Sequence, residues 1–309
     1  MQKIVTIGGG TGHFQLLKGL KNYECDITAV ANIADDGGSS GKLRDEYGIL
    51  PPGDARQCLV ALASENGGGR LRKLFNHRLR DGHSLGNLII AGLTEIYGGD
   101  AAGFVEAGKL LKICGEVLPV SIDKRVLRAE TLEGKILDGQ TEVSYPKEKE
   151  TRISRLFYEP RAFLYREAGE AIRKADKVVI CAGDLYGSIL PNLIIEGMSE
   201  ALRQSNALKI YVCNLFTKQG NYDFKASDFV AEIEKYSGVE MDKIIVNNGR
   251  PSDEVIGKYF SEDSKLVEDD LEENRRVVRD EFAKEYLSEK RNILRHIPER
   301  LAGTIIGLD

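Results

Sequence analysis

The sequence predicts an α/β fold: a mostly parallel sheet with helices on both faces, αβα in layers, with a helical and small β insertion in its middle. Three observations carry this reading. Short β-branched runs at 3–7 and 26–34 flank a stretch in which Phe14, Leu16, Leu17 and Leu20 recur at helical spacing. The same strand and helix rhythm returns over 167–213, and strands joined through a helix pair in parallel by a right-handed crossover. Several of these strands end in glycine- or asparagine-rich turns, the edge at which such sheets bind ligands.

Taken in order, the strand 3–7 closes on Gly8-Gly9-Gly10-Thr11-Gly12, and the buried strand 26–34 ends in Asp35-Asp36-Gly37-Gly38-Ser39-Ser40-Gly41-Lys42. Pro51-Pro52-Gly53 breaks the chain, Asp54 offers an N-cap, and 55–64 has helical periodicity. Residues 71–79 and 85–114 are helical, the second stretch interrupted near Gly98-Gly99. Residues 116–121, 126–132 and 135–144 read as short strands of an antiparallel annex, with Glu133-Gly134 as a turn. Beyond it come a helix from 167 to 176, a strand at 177–182, a turn at 183–188, a helix at 192–204 and a strand at 208–213. A helix at 227–236, a strand at 243–246 and a helix from Ser252 follow. The segment 261–290 mixes charges of both signs, as a solvated helix face does. With no repeat or Pro-rich linker, 1–309 is expected to be one domain, with about 66–150 as its insertion.

Lys plus Arg at 43 against Asp plus Glu at 48 gives 43 − 48 = −5, which argues against a protein that coats nucleic acid. No run approaches the ~18 apolar residues of a membrane span, and Met1-Gln2-Lys3 leads straight into a strand without an apolar leader. A cytoplasmic protein with neither nucleic acid nor membrane as partner is expected. The cysteines, Cys25, Cys58, Cys114, Cys181 and Cys213, are odd in number and contain no C-x-x-C pair, so they suit neither a disulfide framework nor a zinc knuckle.

Chemistry is concentrated in the loops. Gly9, Gly10, Thr11 and Gly12 lie where backbone amides at a helix N-terminus could hold phosphate. His13 stands where G-x-G-x-x-G needs glycine, and the G-x-x-x-x-G-K-[ST] pattern fails outright, so neither an ordinary dinucleotide loop nor an ATP loop is met. The alternative is a turn that needs several positive-φ residues. In the second loop Asp35 and Asp36 could hold Mg²⁺ or meet ribose hydroxyls, as could Asp54 further on. There Gly37, Gly38, Ser39 and Ser40 supply permissive backbone and hydroxyls, and Lys42 and Arg44 could meet phosphate charge. An Asx-type turn with exposed cations is the alternative. Asp54-Ala55-Arg56 and His83-Ser84-Leu85-Gly86-Asn87 each place polar groups at a helix start, where capping competes with ligand binding for His83 and Asn87. Gly187, Ser188 and Asn192, then Asn214 with Thr217 and Gln219-Gly220, then Asn247-Asn248-Gly249, close later strands and mark a second candidate anion or sugar site; each is also a plain turn signal.

In combination, Gly8-Gly9-Gly10-Thr11-Gly12, the Ala34 to Arg44 loop, Pro51-Pro52-Gly53-Asp54, Gly82-His83-Ser84-Leu85-Gly86-Asn87-Leu88 and Gly187-Ser188-Ile189-Leu190-Pro191-Asn192-Leu193 resemble the CofD/YvcK family. They run in one order over essentially the whole chain, and the closest pattern is that of the YvcK-type gluconeogenesis factors. The resemblance implies a Rossmann-like αβα three-layer fold with a nucleotide-binding cleft and a homodimer. It implies UDP-sugar binding, with NAD as a further nucleotide, and a role in cell shape and wall synthesis on gluconeogenic carbon. The enzymatic CofD branch implies instead a Mg²⁺-dependent 2-phospho-L-lactate transferase, acting from a GDP-linked donor on a deazaflavin alcohol.

This chain departs from the YvcK pattern at Lys218 and Asn221, which replace an amide and a carboxylate, at Asp228-Phe229, and at His13 and Phe14. Asp184-Leu185-Tyr186-Gly187 replaces a more hydroxyl-rich stretch. A nucleotide-sugar-binding protein needs no nucleophile, and none is obvious. A transferase would rest on Asp35, Asp36 or Asp54 placing Mg²⁺ on a diphosphate. An oxidoreductase ranks last, because the dinucleotide spacing fails.

Overall fold

The computed structural model describes residues 1–64, 68–148, 151–286 and 293–309. In chain order the N-terminal elements are β1 (Gln2–Gly8), α1 (Gly10–Leu20), β2 (Cys25–Ala31), α2 (Gly38–Tyr47), α3 (Pro52–Leu62), α4 (Gly68–Asn76), α5 (Leu85–Tyr97), α6 (Asp100–Leu111) and β3 (Glu116–Pro119). The annex holds β4 (Val126–Thr131), β5 (Ile136–Asp138), α7 (Gln140–Ser144) and β6 (Ile153–Glu159). Next come α8 (Arg166–Lys174), β7 (Lys177–Ile180), a π-helical turn (Leu185–Ile189), α9 (Leu190–Leu193), α10 (Met198–Gln204) and β8 (Leu208–Val212). After a short 3-10 turn (Gln219–Asn221) follow α11 (Ala226–Ser237), β9 (Lys243–Asn247), α12 (Asp253–Ser261), β10 (Val277–Asp280), β11 (Ala283–Tyr286), β12 (Ile293–His296) and α13 (Pro298–Gly307).

Seven of these strands form a wholly parallel sheet in the order β10-β9-β8-β7-β1-β2-β3. Alternation along the central strands sends Val5, Ile7, Val178 and Ile180 into one core and Ile4, Ala29, Val179 and Ile210 into another, one on each face. The sheet is therefore buried on both sides, which is why its strands read as continuous apolar runs. The chain leaves β1 toward β2 and returns to β7 on the other side of β1. The connections at the carboxyl ends of β1 and β7 diverge there, opening the switch-point crevice that binds ligands in such sheets.

Five expectations change. Residues 116–121 do not belong to the annex: β3 pairs in parallel with β2, Thr28 opposite Glu116, because Val117 and Leu118 are both buried and need cover on both faces. The block 66–150 is thus partly main sheet and not a separate insertion; residues 66, 67, 149 and 150 lie outside the described residues. The annex is completed instead by β6, which the sequence reading left unassigned and which pairs antiparallel with β4. The strand expected over 135–144 ends at Asp138, where Gly139 at φ 89° turns the chain into α7. The helix expected over 192–204 is split by Gly197 at φ 93° into α9 and α10. The charged segment is not a helix: β10 pairs with β9 and β11 with β12, while 287–290 lie outside the described residues. Among the described residues no single helix is long and apolar enough to cross a membrane.

One buried charge fixes the C-terminal helix. Lys177 lies in β7 with only 3% of its surface exposed, and its Nζ donates to the Ile305 and Ile306 carbonyls, each at 2.8 Å. Burial lowers the pKa of this ammonium, opposed by the charges of Asp309 and Asp176. Those carbonyls end α13, where a cation is favoured by the helix dipole. Lys177→Met is expected to lower stability by about 1–3 kcal/mol, since it leaves buried acceptors unpaired; urea unfolding checks this.

Candidate functional site

The first glycine turn sits at the crevice. α1 starts from Gly9, which is extended (φ −158°) and offers no side chain to cap the helix. Gly10 has φ +67°, a conformation that favours glycine. Its N–H donates to Asp54 Oδ1 at 2.8 Å. Gly12 packs so closely on the loop after β7 that a Cβ there would lie 1.9 Å from the Ala182 carbonyl oxygen. Between the two loops opens a cleft of about 340 Å³, lined by Gly10, Thr11 and Gly12 on one side and by Gly183, Asp184, Ser188, Asn214 and Lys218 on the other.

Asp54 is not the N-cap of α3. Proline, which suits the first helical position, takes that position as Pro52; Pro51 is the N-cap, and Asp54 is left in the first turn facing β1. Its Oδ2 accepts a hydrogen bond from Asn32 Nδ2 at 3.0 Å. Asn32 also donates to the Gly187 carbonyl at 3.4 Å and accepts from the Ala34 N–H at 3.2 Å. One amide therefore ties together β2, Asp54 and the π-helical turn. Burial, reinforced by the nearby charge of Asp35, raises the Asp54 pKa to about 6, against the N–H of Gly10 and the amide of Asn32.

The Asp-Asp-Gly-Gly-Ser-Ser loop divides its duties. Asp35 Oδ1 accepts from the Gly37 N–H at 3.1 Å, an Asx turn, and Asp35 faces Gly53, where a Cβ would lie 2.4 Å from its Oδ2. Ser40 Oγ stands at the same distance from that point. Asp36 turns to the annex, accepting from the Thr141 N–H at 2.9 Å and the Thr141 hydroxyl at 2.5 Å. Gly38, at φ +47°, begins α2. Ser39 Oγ lies 3.1 Å from His83 Nδ1 and accepts from Asn87 Nδ2 at 3.1 Å and from the Ser84 N–H at 3.3 Å. Asn87 Oδ1 in turn accepts from Arg56 Nε at 2.9 Å. His83 and Asn87, distant in sequence from the loop, thus meet it. Lys42 is exposed on α2 and Arg44 pairs with Asp45 at 2.8 Å; neither lines the glycine cleft.

On the far wall, Gly187 donates its N–H to Asp184 Oδ1 at 3.2 Å, and Asn214 donates to the Gly183 carbonyl. Asn192 stands apart: it is wholly buried, with its amide donating to the Ser188 and Ile189 carbonyls. Two departures noted in the sequence are in contact, since Lys218 Nζ pairs with Asp184 Oδ2 at 2.9 Å and also reaches the Tyr145 hydroxyl at 3.3 Å. Burial is the largest single influence on the Lys218 pKa and lowers it, but the charges of Asp184 and Tyr145 and the hydrogen bonds to both together raise it. His13, another departure, is core: Nε2 lies 2.8 Å from Thr6 Oγ1 and Nδ1 lies 3.5 Å from Cys58 Sγ, and burial lowers its pKa to about 4.

Sequence reasoning missed several cleft residues. Phe216 and Tyr259 line it as a stacked pair with ring centroids 3.8 Å apart. Gln15 comes from α1, and Arg295 and His296 from β12. Arg295 makes no ion pair with any described residue. Tyr259, Arg295 and His296 carry no spacing signal, because α12 and β12 reach the cleft only through tertiary packing, whereas Gln15 lies on α1 four residues after Thr11 and Phe216 follows β8. Among the described residues no group of three or more His, Cys, Asp or Glu side chains is placed to hold a metal ion; Asp54 meets the glycine turn through Gly10, and the charge of Asp35 acts on Asp54.

The family model of 2-phospho-L-lactate transferase CofD matches residues 4–285. The chain is 41% identical to the gluconeogenesis factor of Halalkalibacterium halodurans over 313 residues, covering 99% of this chain and 96% of that protein. It is 37% identical to the gluconeogenesis factor of Bacillus subtilis over 314 residues, covering 99% and 98%. A crystal structure of a Bacillus halodurans protein superposes with a TM-score of 0.91 at 40% identity, covering 99% of each chain. A second crystal structure, described as a member of the UPF0052 family, gives a TM-score of 0.92 at 39% identity, over 99% and 100%. On these grounds the chain belongs to the CofD family, within the YvcK-type group whose relatives carry the name gluconeogenesis factor.

Proposed function

We propose that this protein binds a nucleoside diphosphate sugar, with UDP-sugars as the preferred class, and acts as a homodimeric cytoplasmic gluconeogenesis factor that supports cell shape and wall synthesis on gluconeogenic carbon. One observation carries the binding: the N-terminus of α1, built from glycine, opens into the switch-point cleft with Gly12 against the Ala182 backbone. Backbone N–H groups and the helix dipole favour a diphosphate there, and Arg295, which has no carboxylate partner among the described residues, brings a guanidinium to the same cleft. About 340 Å³ lies within the usual range of small-molecule sites. The names of the relatives support the physiological part of the reading.

A second reading has its own observation. Asp54, raised to about 6, stands beside Asp35, and two carboxylates with diphosphate oxygens and water fit a Mg²⁺ ion. Such an ion would supply charge neutralisation at the diphosphate; Gly10 and Asn32 orient Asp54, and Gly37 orients Asp35. Charge neutralisation and positioning of this kind carry phospho-transfer chemistry, which supports a transferase of the CofD type as the second reading.

Thermal unfolding in the presence of UDP-N-acetylglucosamine, UDP-glucose, GDP and NAD, each with and without Mg²⁺, separates the readings. A ligand at 100 times its Kd adds about 2.7 kcal/mol. The expected result is stabilisation by UDP-sugars. Stabilisation confined to GDP with Mg²⁺ would favour the transferase, and no shift with any nucleotide would remove the nucleotide site.

A further inference from the structure

The wall of the cleft carries a polar group with no hydrogen-bond partner among the described residues. Gln15, on α1, is only 5% exposed, and its Oε1 is shut off from solvent with no hydrogen-bond partner among the described residues. Buried acceptors left in this state are costly and rare. Gln15 nonetheless lines the cleft. It follows Thr11 by four residues, so the two share a face of the helix about 6 Å apart along its axis. That is one step inward from the amides that suit a diphosphate.

The surroundings say what belongs there. His296, buried and lowered to about 4, is neutral at pH 7. Phe216 and Tyr259 present aromatic rings, and Leu294 an aliphatic surface. A buried neutral acceptor requires an N–H or O–H donor, and aromatic walls pack against a planar π system. We propose that Gln15 reads the hydrogen-bonding edge of the ligand's nucleobase, while Gly10, Thr11 and Gly12 hold its diphosphate. The inference rests on the nucleotide reading above and adds to it the residue that selects among bases.

Calorimetric titration of the full-length protein with UDP, GDP, ADP, CDP and inorganic diphosphate tests it, alongside Gln15→Leu and the closer-shaped Gln15→Met. The unmodified protein is expected to prefer one base by about tenfold, the worth of one good hydrogen bond to a buried group. Both variants should lose that preference while keeping the affinity for inorganic diphosphate. An unchanged preference in both variants overturns the proposal, and so does an equal loss for every ligand, diphosphate included. If the unmodified protein binds diphosphate and all four nucleotides alike, the base reading falls and the nucleotide site stands. If it binds none of them, both fall.

Discussion

Gly12→Ala is expected to weaken nucleotide binding by about 100-fold or more and to lower the melting temperature. The new methyl would lie 1.9 Å from the Ala182 carbonyl oxygen and 2.7 Å from its carbon. Both neighbours are backbone of the loop after β7, so no side chain can swing aside. Relief requires α1 and that loop to part, which costs about 1–3 kcal/mol as other overpacked sites do. Parting also spoils the site, because the amides of α1 face Gly183, Asp184 and Ser188 across the cleft. Losing two charge-assisted hydrogen bonds to diphosphate, each worth about 1.5–3 kcal/mol, gives the expected factor. Gly92→Ala on α5 is the matched control: a Cβ there meets nothing within 4 Å, and alanine favours a helix over glycine by about 1 kcal/mol. Unaltered nucleotide affinity in Gly12→Ala would show that the ligand does not use this turn.

The contrast between Gly12 and Gln15 explains what could be read from the sequence. Gly12 sits in a local pattern, strand then glycine turn then helix, whose geometry follows from neighbours in the chain. The same holds for the Asp35 to Ser40 loop and for the break at Pro51-Pro52-Gly53, and these did fall at the carboxyl edge of the sheet. Motif order also identified the family, because it depends on no tertiary detail. Gln15, Asn32 and Arg295 gave no such signal. Asn32 matters through bonds to Asp54 and Gly187, which lie 22 and 155 residues away. Asp36 was grouped with Asp35 by adjacency, yet successive residues diverge, and it bonds to Thr141 across the annex. Strand β3 was misplaced because four residues carry no mark of which sheet they join; burial on both faces decided it.

The Lys218–Asp184 pair shows the same limit from another side. Each residue alone departs from the family pattern and looks like a loss of ligand contacts. Together they form an ion pair at 2.9 Å on the cleft wall, with Asp184 also receiving the Gly187 N–H that holds the π-helical turn. The two departures are therefore joined in this chain by one ion pair, which places a cation and a carboxylate on the cleft wall.

Asp54→Asn is expected to reshape the pH dependence of stability and to remove any response to Mg²⁺. In the folded protein Asp54 titrates near 6, raised chiefly by burial and then by Asp35, against about 3.8 in its ordinary state. Below pH 3.8 the group is protonated in both the folded and the unfolded chain and contributes no difference. Between the two values the folded state holds a proton that the unfolded state has released, so stability falls as pH rises through this window. Above about 6 the loss is complete, on the order of 3 kcal/mol from a shift of about two units. Asparagine has no charge to desolvate and should be flat over the same range. It keeps an acceptor for the Gly10 N–H but sets an amide against Asn32 Nδ2, whose own oxygen is held by the Ala34 N–H. That mismatch costs about 1 kcal/mol at every pH. The variant should therefore be the less stable protein at pH 4 and the more stable one at pH 8, with the curves crossing between. Urea titrations at intervals from pH 4 to 8 check this, and parallel curves would show that Asp54 is not held protonated by its surroundings. Repeating them with Mg²⁺ and GDP adds the functional arm, since a cation between Asp35 and Asp54 favours the ionised carboxylate. It should restore at pH 8 the stability that the unmodified protein loses there, and leave the asparagine variant unmoved.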